Sequence, residues 1–552
     1  MSLKYARSAL TLLLSATIVG GAVSPAMAEE RPPVSSVESG TGAVNENPQN
    51  NESTQEEQND PGADAQGTLE IEMSAENATT SESAPSAIED AYHGSGIELS
   101  NGGVASDTKN VRIQGSDRFA TAVEISKHGF PAPFATGTGT VFVATGLDYP
   151  DSLSAAPVAA KMNAPLLLAT AENLPTTTAN EIQRLKPKTI IVVGGVSAVG
   201  SSVATQLAGL LPGVTVKRVQ GATRFDTSIE LSKLGWPTNG SAANAFIATG
   251  YGFADALSAG PAAKQVNGPV LLVPGGSAEA FPATKAELVR LNNTRMYVAG
   301  GVSAVAESVV TSLKRTPSHA VTRYAGADRF ATSAMIVNQH FPGISSSTYW
   351  ASGSNFADAL TGAAVAGKHG MPLLLSLPDC MPSITYSAND SHKPTNTYLL
   401  GGAAALNDTV LWGNECITAR AGMNAADISG TQHIYSRINQ TRYNLNLQGA
   451  RFYGQSAQDW SFTMAASDRM RLNPALATEQ PWVYEEYVLE DPTSATNANP
   501  EFAFSYMESN YPQITRFPAK PAGQRMWVSV GWINRVSGGW PTGWMTVHTG
   551  LR

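Results

Sequence analysis

The chain contains 552 residues and carries a formal net charge of −9, with 45 acidic and 36 basic side chains. This length predicts three to five domains. The charge is uneven, because residues 29–108 contain 17 acidic residues against one basic residue. The remainder is slightly basic, which permits a polyanionic partner. No apolar run beyond the N-terminus is long enough to span a bilayer, which excludes a protein with several membrane spans.

Residues 1–28 have the three regions of a secretory signal peptide. Lys4 and Arg7 precede an apolar run over residues 9–23 and the small-residue site Ala26-Met27-Ala28. This order predicts export, cleavage at the end of that site and no transmembrane segment afterwards. The alternative is a retained membrane anchor, although the apolar run is short and contains hydroxyl groups and glycines. The C-terminus shows neither a hydrophobic tail nor a sorting signal, so we expect noncovalent attachment to the cell.

Residues 29–108 form an acidic segment rich in Ser, Thr, Asn, Gln and Gly. Such a composition cannot bury a core and predicts disorder. After cleavage of the signal peptide the segment has a free end, so we interpret it as an arm. Solvation and spacing are its expected role, and a specific ligand is the alternative.

Three copies of one pattern follow, about 105 residues apart. The clearest copy is AFIATGYGFADALSAGPAAK, residues 245–264. Each copy is preceded by a motif such as RIQGSDRFATAVEISK and followed by an apolar PLLL-type run and a Gly-Gly turn. A period of this length indicates similar domains rather than a solenoid. We place the repeats at residues 109–215, 216–320 and 321–422.

Each repeat alternates short apolar runs with segments of helical periodicity. The runs predict buried strands, and the alternation predicts an α/β fold of three tandem open parallel sheets with flanking helices. Asp117, Thr223 and Asp328 are the predicted N-caps of the first helix in each repeat. The aspartates of the central motif are predicted to lie in the first turn of the next helix, beside its positive end. These aspartates are Asp151, Asp255 and Asp358.

Ligands of parallel sheets bind outside the carboxyl ends of the strands, where helices begin. The glycine turns bring the three aspartates to this edge, and an arginine before each first helix could offer two donors to phosphate or carboxylate. The alternative is that each aspartate only caps its helix and each arginine pairs with an aspartate. Neither G-x-G-x-x-G nor a P-loop occurs, so no cofactor and no nucleic acid partner are predicted. The candidate ligand-binding residues are Arg118, Arg224, Arg329, Asp151, Asp255 and Asp358.

The recurring motifs are R-x-x-G-x-[D/T]-R-[F/Y]-x-T, A-[T/S]-G-x-x-[F/Y]-x-D-[A/S]-L, P-[L/V]-L-L and Gly-Gly. In three tandem copies over about residues 110–420, this set resembles the type 2 cell wall-binding repeat of bacterial surface proteins. The resemblance implies a pseudo-threefold module that binds an anionic envelope polymer noncovalently. It also implies a variable effector domain beside the module and a secreted protein on the bacterial cell wall.

The two cysteines, Cys380 and Cys416, both lie near predicted sheet elements of the third repeat. An exported chain permits oxidation, so we predict a disulfide, with two buried thiols as the alternative. A metal site at these cysteines is not expected, because CxxC spacing is absent and His392 has no partner motif.

Residues 423–552 form a separate domain that contains six of the nine tryptophans. Two amphipathic helices and a final pair of aromatic strands are predicted. This order, with Asn439 and Arg442 in the first helix and Trp460 in the second, resembles the α/β/α CAP superfamily.

Members of that superfamily with an intact cleft carry two histidines that can bind a divalent metal. This chain has the sequence Arg471-Leu472-Asn473-Pro474 at the first place and no histidine at the second, within SYMESNYPQITR. His433 and His548 lie at the edges of the domain. Glu485 and Glu486 could match the cleft acid or be solvated. We therefore expect no metal site and no catalytic residues.

Together these observations predict a secreted, wall-associated binding protein that displays a non-catalytic CAP-like domain. The alternative is a hydrolase, or a modifier of a hydrolase, that the repeats target to the wall. Neither H-E-x-x-H, G-x-S-x-G nor a Cys-His arrangement is visible. A third possibility is a platform that recruits a protein partner through the C-terminal domain.

Overall fold

In a computed structural model, most of the described chain folds into three four-stranded parallel sheets and their flanking helices. The predicted signal peptide and most of the acidic segment lie outside the residues that the structure describes. Among the described helices, none combines the length and the apolar character that a membrane span requires. The described residues are 92–95, 109–417, 419, 421–445, 450–452, 457–458, 461, 483–491, 500–510, 526–537 and 540–551.

Each repeat alternates strands and helices, as its apolar runs predict. A first strand, β1 (Tyr92–Ser95), lies within the acidic segment. The first repeat comprises β2 (Lys109–Ile113), α1 (Arg118–Gly129), β3 (Thr140–Thr145), α2 (Ala155–Lys161), β4 (Leu166–Ala169), α3 (Thr176–Leu185), β5 (Thr189–Val193) and α4 (Ser201–Gly209). The second comprises β6 (Thr215–Val219), α5 (Arg224–Gly235), β7 (Asn244–Thr249), α6 (Ala254–Gln265), β8 (Val270–Val273), α7 (Pro282–Arg290), β9 (Arg295–Ala299) and α8 (Glu307–Leu313). The third comprises β10 (Ala320–Tyr324), α9 (Arg329–His340), β11 (Ser347–Ser352), α10 (Ala357–His369), β12 (Leu373–Ser376), α11 (Ser383–His392), β13 (Asn396–Leu400) and α12 (Asp408–Leu411).

The first strand of each repeat completes the sheet of the preceding repeat. β6 pairs with β5 and β10 pairs with β9, which gives the orders β4-β3-β5-β6 and β8-β7-β9-β10. In the third sheet, β12-β11-β13-β2, the last position is filled by β2, with Lys109 opposite Asn396. The chain thus closes a ring of three repeats. The predicted fold of three tandem parallel sheets with flanking helices is confirmed.

The helices that follow the central motifs, α2, α6 and α10, pack against one another at the centre of the ring. Their small residues allow close approach. A Cβ atom on Gly260 would lie 3.3 Å from Ala156 and 3.4 Å from Ala363, and one on Gly367 would lie 2.9 Å from Ala160. Protein interiors are close-packed, so larger side chains here would push the repeats apart.

The predicted N-caps of the first helices are confirmed. Asp117 and Asp328 each accept a hydrogen bond from the backbone three residues further on. Thr223 forms a capping box with Asp226. Asp255 and Asp358 lie in the first turns of α6 and α10, as predicted.

Asp151 departs from this pattern. Helix α2 begins only at Ala155, so Asp151 lies in a turn before the helix, and the prediction that it belongs to the first helical turn is wrong. The first repeat has Pro150 where the others have alanine, and a proline disfavours helical geometry in the residue before it, here Tyr149. The backbone N–H of Ser152 donates to Tyr149 O at 3.1 Å, which closes the turn.

The contact between the second and third repeats buries a histidine. His340, at the end of α9, is 7% exposed, and its Nε2 lies 2.9 Å from the hydroxyl of Tyr324. Its ring packs edge-on against Tyr297 and at a tilt against Phe246. Burial lowers the pKa of His340 to about 4, so the folded protein favours the neutral imidazole.

We expect the free energy of unfolding to fall on acidification. A histidine with a pKa of about 4 in the folded protein and 6.5 in the unfolded chain contributes full stability above pH 6.5 and loses it as the pH falls toward 4. For His340 the loss is at most about 3 kcal/mol. Urea unfolding at pH about 7 and about 4.5 measures it. His340→Gln should narrow the difference, and an unchanged difference would assign the acid response to other groups.

The C-terminal domain contains a five-stranded mixed sheet in the order β1-β15-β17-β16-β14. The predicted aromatic strand pair is confirmed as the antiparallel pair β16–β17. β1 pairs antiparallel with β15, so the prediction of disorder is wrong for residues 92–95. Trp460 and residues 471–474 lie outside the described residues. The elements are α13 (Ala425–Asn444), β14 (Arg451–Phe452), β15 (Val483–Asp491), α14 (Pro500–Asn510), β16 (Met526–Ser537) and β17 (Trp540–Leu551).

The two histidines of this domain occupy different positions. His433, on α13, has its Nε2 2.6 Å from Oε2 of Glu501. His548 lies in β17, the middle strand of the sheet, opposite Glu486 and Ser529. Within the described ranges, no three potential metal-ligating side chains cluster.

A buried ion pair joins the third repeat to the C-terminal domain. Arg451 of β14 donates through Nε and Nη2 to the two carboxylate oxygens of Glu415, at 3.0 and 2.8 Å. It also bonds to Asp390 Oδ2 at 3.3 Å and Ser387 Oγ at 3.0 Å, both on α11. Burial alone would lower the pKa of Arg451, but the hydrogen bonds and charge of Glu415 outweigh it and raise that pKa.

Cys380 and Cys416 form the predicted disulfide. Beside it, Met381 and Glu415 pair as a short parallel bridge, in which Met381 N donates to Asn414 O at 2.8 Å. The disulfide therefore holds the segment that carries Glu415 against the third repeat.

Candidate functional site

The turns that follow the central strands of the three repeats meet at one point. Tyr149, Phe253 and Phe356 occupy equivalent positions in these turns, and their ring centroids lie 5.4, 5.6 and 6.2 Å apart. This aromatic triangle marks a pseudo-threefold axis. The carboxyl ends of all three sheets therefore face the same end of the ring, which we call the axial face.

The three aspartates of the central motif lie against the Gly-Gly turns of the axial face. The first glycine of each turn has a positive φ, between 92° and 109°. A Cβ atom on Gly194, Gly300 or Gly401 would lie 2.7, 2.5 or 2.4 Å from Oδ2 of the aspartate in the same repeat. Both the backbone conformation and the nearby carboxylate therefore require glycine at these turns.

The arginines are held at the same face by backbone carbonyls. Arg118 Nη1 donates to Gly146 O at 2.6 Å. Adjacent phenylalanines pack on these glycines, and a Cβ atom on Gly250 would lie 2.6 Å from the ring of Phe225. The Arg-Phe pair at the start of each first helix therefore contacts the glycine that follows the central strand of the same repeat. The equivalent bonds are Arg224 to Gly250 at 2.8 Å and Arg329 to Gly353 at 2.6 Å.

Sequence reasoning missed a second set of arginines. Arg112, Arg218 and Arg323 open the R-x-x-G motif and lie on the strands that join the preceding sheet. Each donates to the carbonyl of the first glycine of the Gly-Gly turn in the preceding repeat, at 2.7 to 3.0 Å. The repeated spacing of this arginine was visible in the sequence, but its partner depends on the strand exchange.

The charges at the axial face connect neighbouring repeats. Burial raises the pKa of Asp358 to about 6, and the positive charge of Arg118 partly offsets this effect. Burial also raises the pKa of Asp255, which Arg329 offsets in part. Arg118 and Arg329 therefore each lower the pKa of an aspartate in the repeat that precedes their own around the ring. As the pH falls through about 6, Asp358 loses its negative charge and this face becomes more positive.

The axial face contains a cleft of about 490 Å³ at the edge of the second sheet, here called the second-repeat cleft. It is bounded by the turns of the second repeat, by the start of α9 and, near the axis, by the first repeat. Its lining includes Tyr149, Tyr251, Phe253, Asp255, Ser303 and Arg329. Aromatic rings, the carboxylates of Asp255 and Asp328, hydroxyl groups and one guanidinium converge there, which suits a small polar ligand unit.

Residues 112–204, 218–310 and 323–411 match the family Cell wall binding domain 2 (CWB2). This ring of three strand-exchanged α/β repeats is therefore a cell wall-binding module. The chain belongs to this family, and it is associated with the cell wall.

The chain is similar to two curated proteins of Bacillus subtilis (strain 168). It is 30% identical to N-acetylmuramoyl-L-alanine amidase LytC over 55% of this chain and 58% of that protein. It is 27% identical to the Amidase enhancer over 66% of this chain and 46% of that protein. The chain thus spans about half the length of these relatives. The solved structure of Cwp6 from Clostridium difficile matches with a TM-score of 0.51 and 20% identity, over 66% of this chain and 62% of that one.

The structure brings together all six candidate ligand residues at the axial face. Two of the arginines act on aspartates across repeat boundaries, and all three bond to backbone carbonyls, so they have a structural role, and their role in ligand binding stays a prediction. In the C-terminal domain, Glu485 and Glu486 lie on β15. Asn439 is fully buried and bonds to the backbone of Ala450, which gives it a structural role on α13.

Proposed function

We propose that this protein is exported and held noncovalently on the bacterial cell wall by an anionic envelope polymer that binds across the axial face. Three turns converge on one axis, and the glycine that follows each central strand accepts a hydrogen bond from an arginine; this observation supports the proposal. A polymer that contacts one related position in each repeat gains affinity through effective concentration. Guanidinium groups are suited to phosphate and carboxylate, and the carbonyl-bound arginines here are already oriented.

The C-terminal domain is, in this proposal, a degenerate CAP-like domain without catalytic activity. Its support is the pair of helices α13 and α14 on a sheet whose central strands are antiparallel. The buried contacts of Arg451 fix this domain on the third repeat, so the repeats present it in one orientation.

We expect the mature protein to be released from isolated walls by high salt without lytic enzymes. Arg118→Gln and Arg224→Gln should each weaken wall binding two- to threefold, Arg329→Gln by more, and the triple variant by about tenfold or more, because charge-assisted contacts are lost at each site. Sedimentation with purified walls at graded salt measures this. Circular dichroism controls for folding. A folded triple variant with unchanged salt dependence would remove these arginines from the binding surface.

The alternative function is a wall hydrolase or a modifier of one. The similarity to a protein named an amidase and to one named an amidase enhancer favours it. A deletion strain distinguishes the two functions. Loss of wall turnover that the C-terminal domain restores would favour the alternative, whereas normal turnover with loss of a surface-attached protein would favour the binding function.

A further inference from the structure

We infer that the three repeats do not contribute equally to the axial face and that the second-repeat cleft is the principal site, which takes a pyranose unit bearing a carboxylate or phosphate group. This inference rests on the proposed function. It concerns which part of the face recognises the polymer and by what chemistry.

The entrance to the second-repeat cleft is open because the third repeat has a small residue where the other two repeats have glutamine. Gln114 and Gln220 occupy equivalent positions before the first helices of repeats one and two, and Ala325 occupies that position in repeat three. The side-chain oxygens of Gln114 and Gln220 lie 3.4 and 3.7 Å from a Cβ atom built on Gly402 and Gly195, at the Gly-Gly turns. Ala325 extends no polar side chain over the second repeat's turn. In the first and third repeats a glutamine side chain therefore lies beside the equivalent turn.

The cation of the second-repeat cleft is also the most accessible. Arg329 is exposed, whereas Arg118 and Arg224 are half-buried. Its guanidinium carbon lies 5.7 Å from the ring centroid of Phe253, which keeps it at the cleft wall. An anionic substituent can therefore reach Arg329 without displacing other side chains.

The second-repeat cleft is also lined by an exposed aromatic ring. Tyr251 is 62% exposed, and its equivalents in the other repeats are Leu147 and Ser354. The ring is supported by Phe225, at 5.7 Å between centroids, and by the guanidinium of Arg224, at 5.9 Å. A supported and exposed aromatic face is suited to the apolar face of a sugar ring.

The remaining polar groups fit the hydroxyl groups of a sugar. Asp255 can accept hydrogen bonds, and Ser303 can donate and accept them. Tyr149 contributes the only hydroxyl group of the axial aromatic triangle and donates it to Tyr251 O at 3.3 Å. The cleft thus offers a stacking surface, the carboxylates of Asp255 and Asp328 as acceptors for hydroxyl groups, and the cation of Arg329, a set that suits a pyranose with one anionic substituent.

The test uses the full mature chain and purified walls. Ala325→Gln, which installs the residue present in the other two repeats, and Tyr251→Ala should each lower wall affinity about tenfold. Leu147→Ala is the matched control for Tyr251→Ala and should stay within twofold of the unchanged protein. Gln114→Ala, which removes the side chain beside the Gly-Gly turn of the third repeat, should leave affinity equal or raise it. Competition with glucose 6-phosphate should exceed that with glucose or inorganic phosphate alone.

The outcomes separate the inference from the function on which it rests. Wall binding by the unchanged protein, with Ala325→Gln and Tyr251→Ala folded and equally strong binders, would overturn the inference and leave the proposed function standing. Equal competition by inorganic phosphate and glucose 6-phosphate would overturn the sugar component. If the unchanged protein did not bind walls, the proposed function itself would fail.

Discussion

Arg451→Met should destabilise the attachment of the C-terminal domain by about 3–5 kcal/mol, because it leaves the carboxylate of Glu415 buried without its partner. Glu415 is only 3% exposed and receives two hydrogen bonds from Arg451. The guanidinium also stacks over Tyr386, 5.0 Å from its ring centroid. Tryptophan fluorescence during urea unfolding is a suitable measurement, because six of the nine tryptophans lie after residue 423.

The control for this variant removes the charge from both partners. In the double variant Arg451→Met, Glu415→Gln the buried charge at position 415 is removed together with its partner, so most of the lost stability should return. A double-mutant cycle then gives the coupling between the two side chains. If Arg451→Met left the tryptophan transition unchanged, the ion pair would not hold the domain on the third repeat.

The architecture within each repeat could be predicted because local signals agree there. Apolar runs of four to six residues, Asp and Thr caps and small-residue helices each specify one element, and strand and helix positions followed from them. The strand exchange could not be predicted, because the sequence period is the same whichever neighbour receives β2, β6 or β10. The pairing of Lys109 with Asn396 depends on ring closure, which is a tertiary property.

The position of the six candidate residues at the carboxyl edge of the sheets was predicted, since it follows from parallel-sheet geometry, and their role in binding stays a prediction. The backbone bonds of the arginines were not predicted, because they depend on carbonyls that carry no sequence signal. The same holds for the aromatic triangle, whose members lie about 100 residues apart in sequence. The position of Asp151 was predicted wrongly because Pro150 changes the local turn. The prediction of disorder was wrong for residues 92–95 because composition does not reveal a short strand that the edge of an existing sheet stabilises.

Replacement of both cysteines by serine should lower the free energy of unfolding by roughly 3 to 4 kcal/mol, since the disulfide closes a loop of 36 residues in the unfolded chain. The neighbouring residue of Cys416 is Glu415, so the loss should also loosen the buried ion pair with Arg451. We therefore expect the effects of the serine pair and of Arg451→Met to be non-additive, because both act on one segment. Urea unfolding of the two variants and their combination, followed by tryptophan fluorescence, measures this coupling. Strict additivity would show that the disulfide stabilises the third repeat without positioning Glu415, and an unchanged midpoint in the serine variant would contradict the stabilising role altogether.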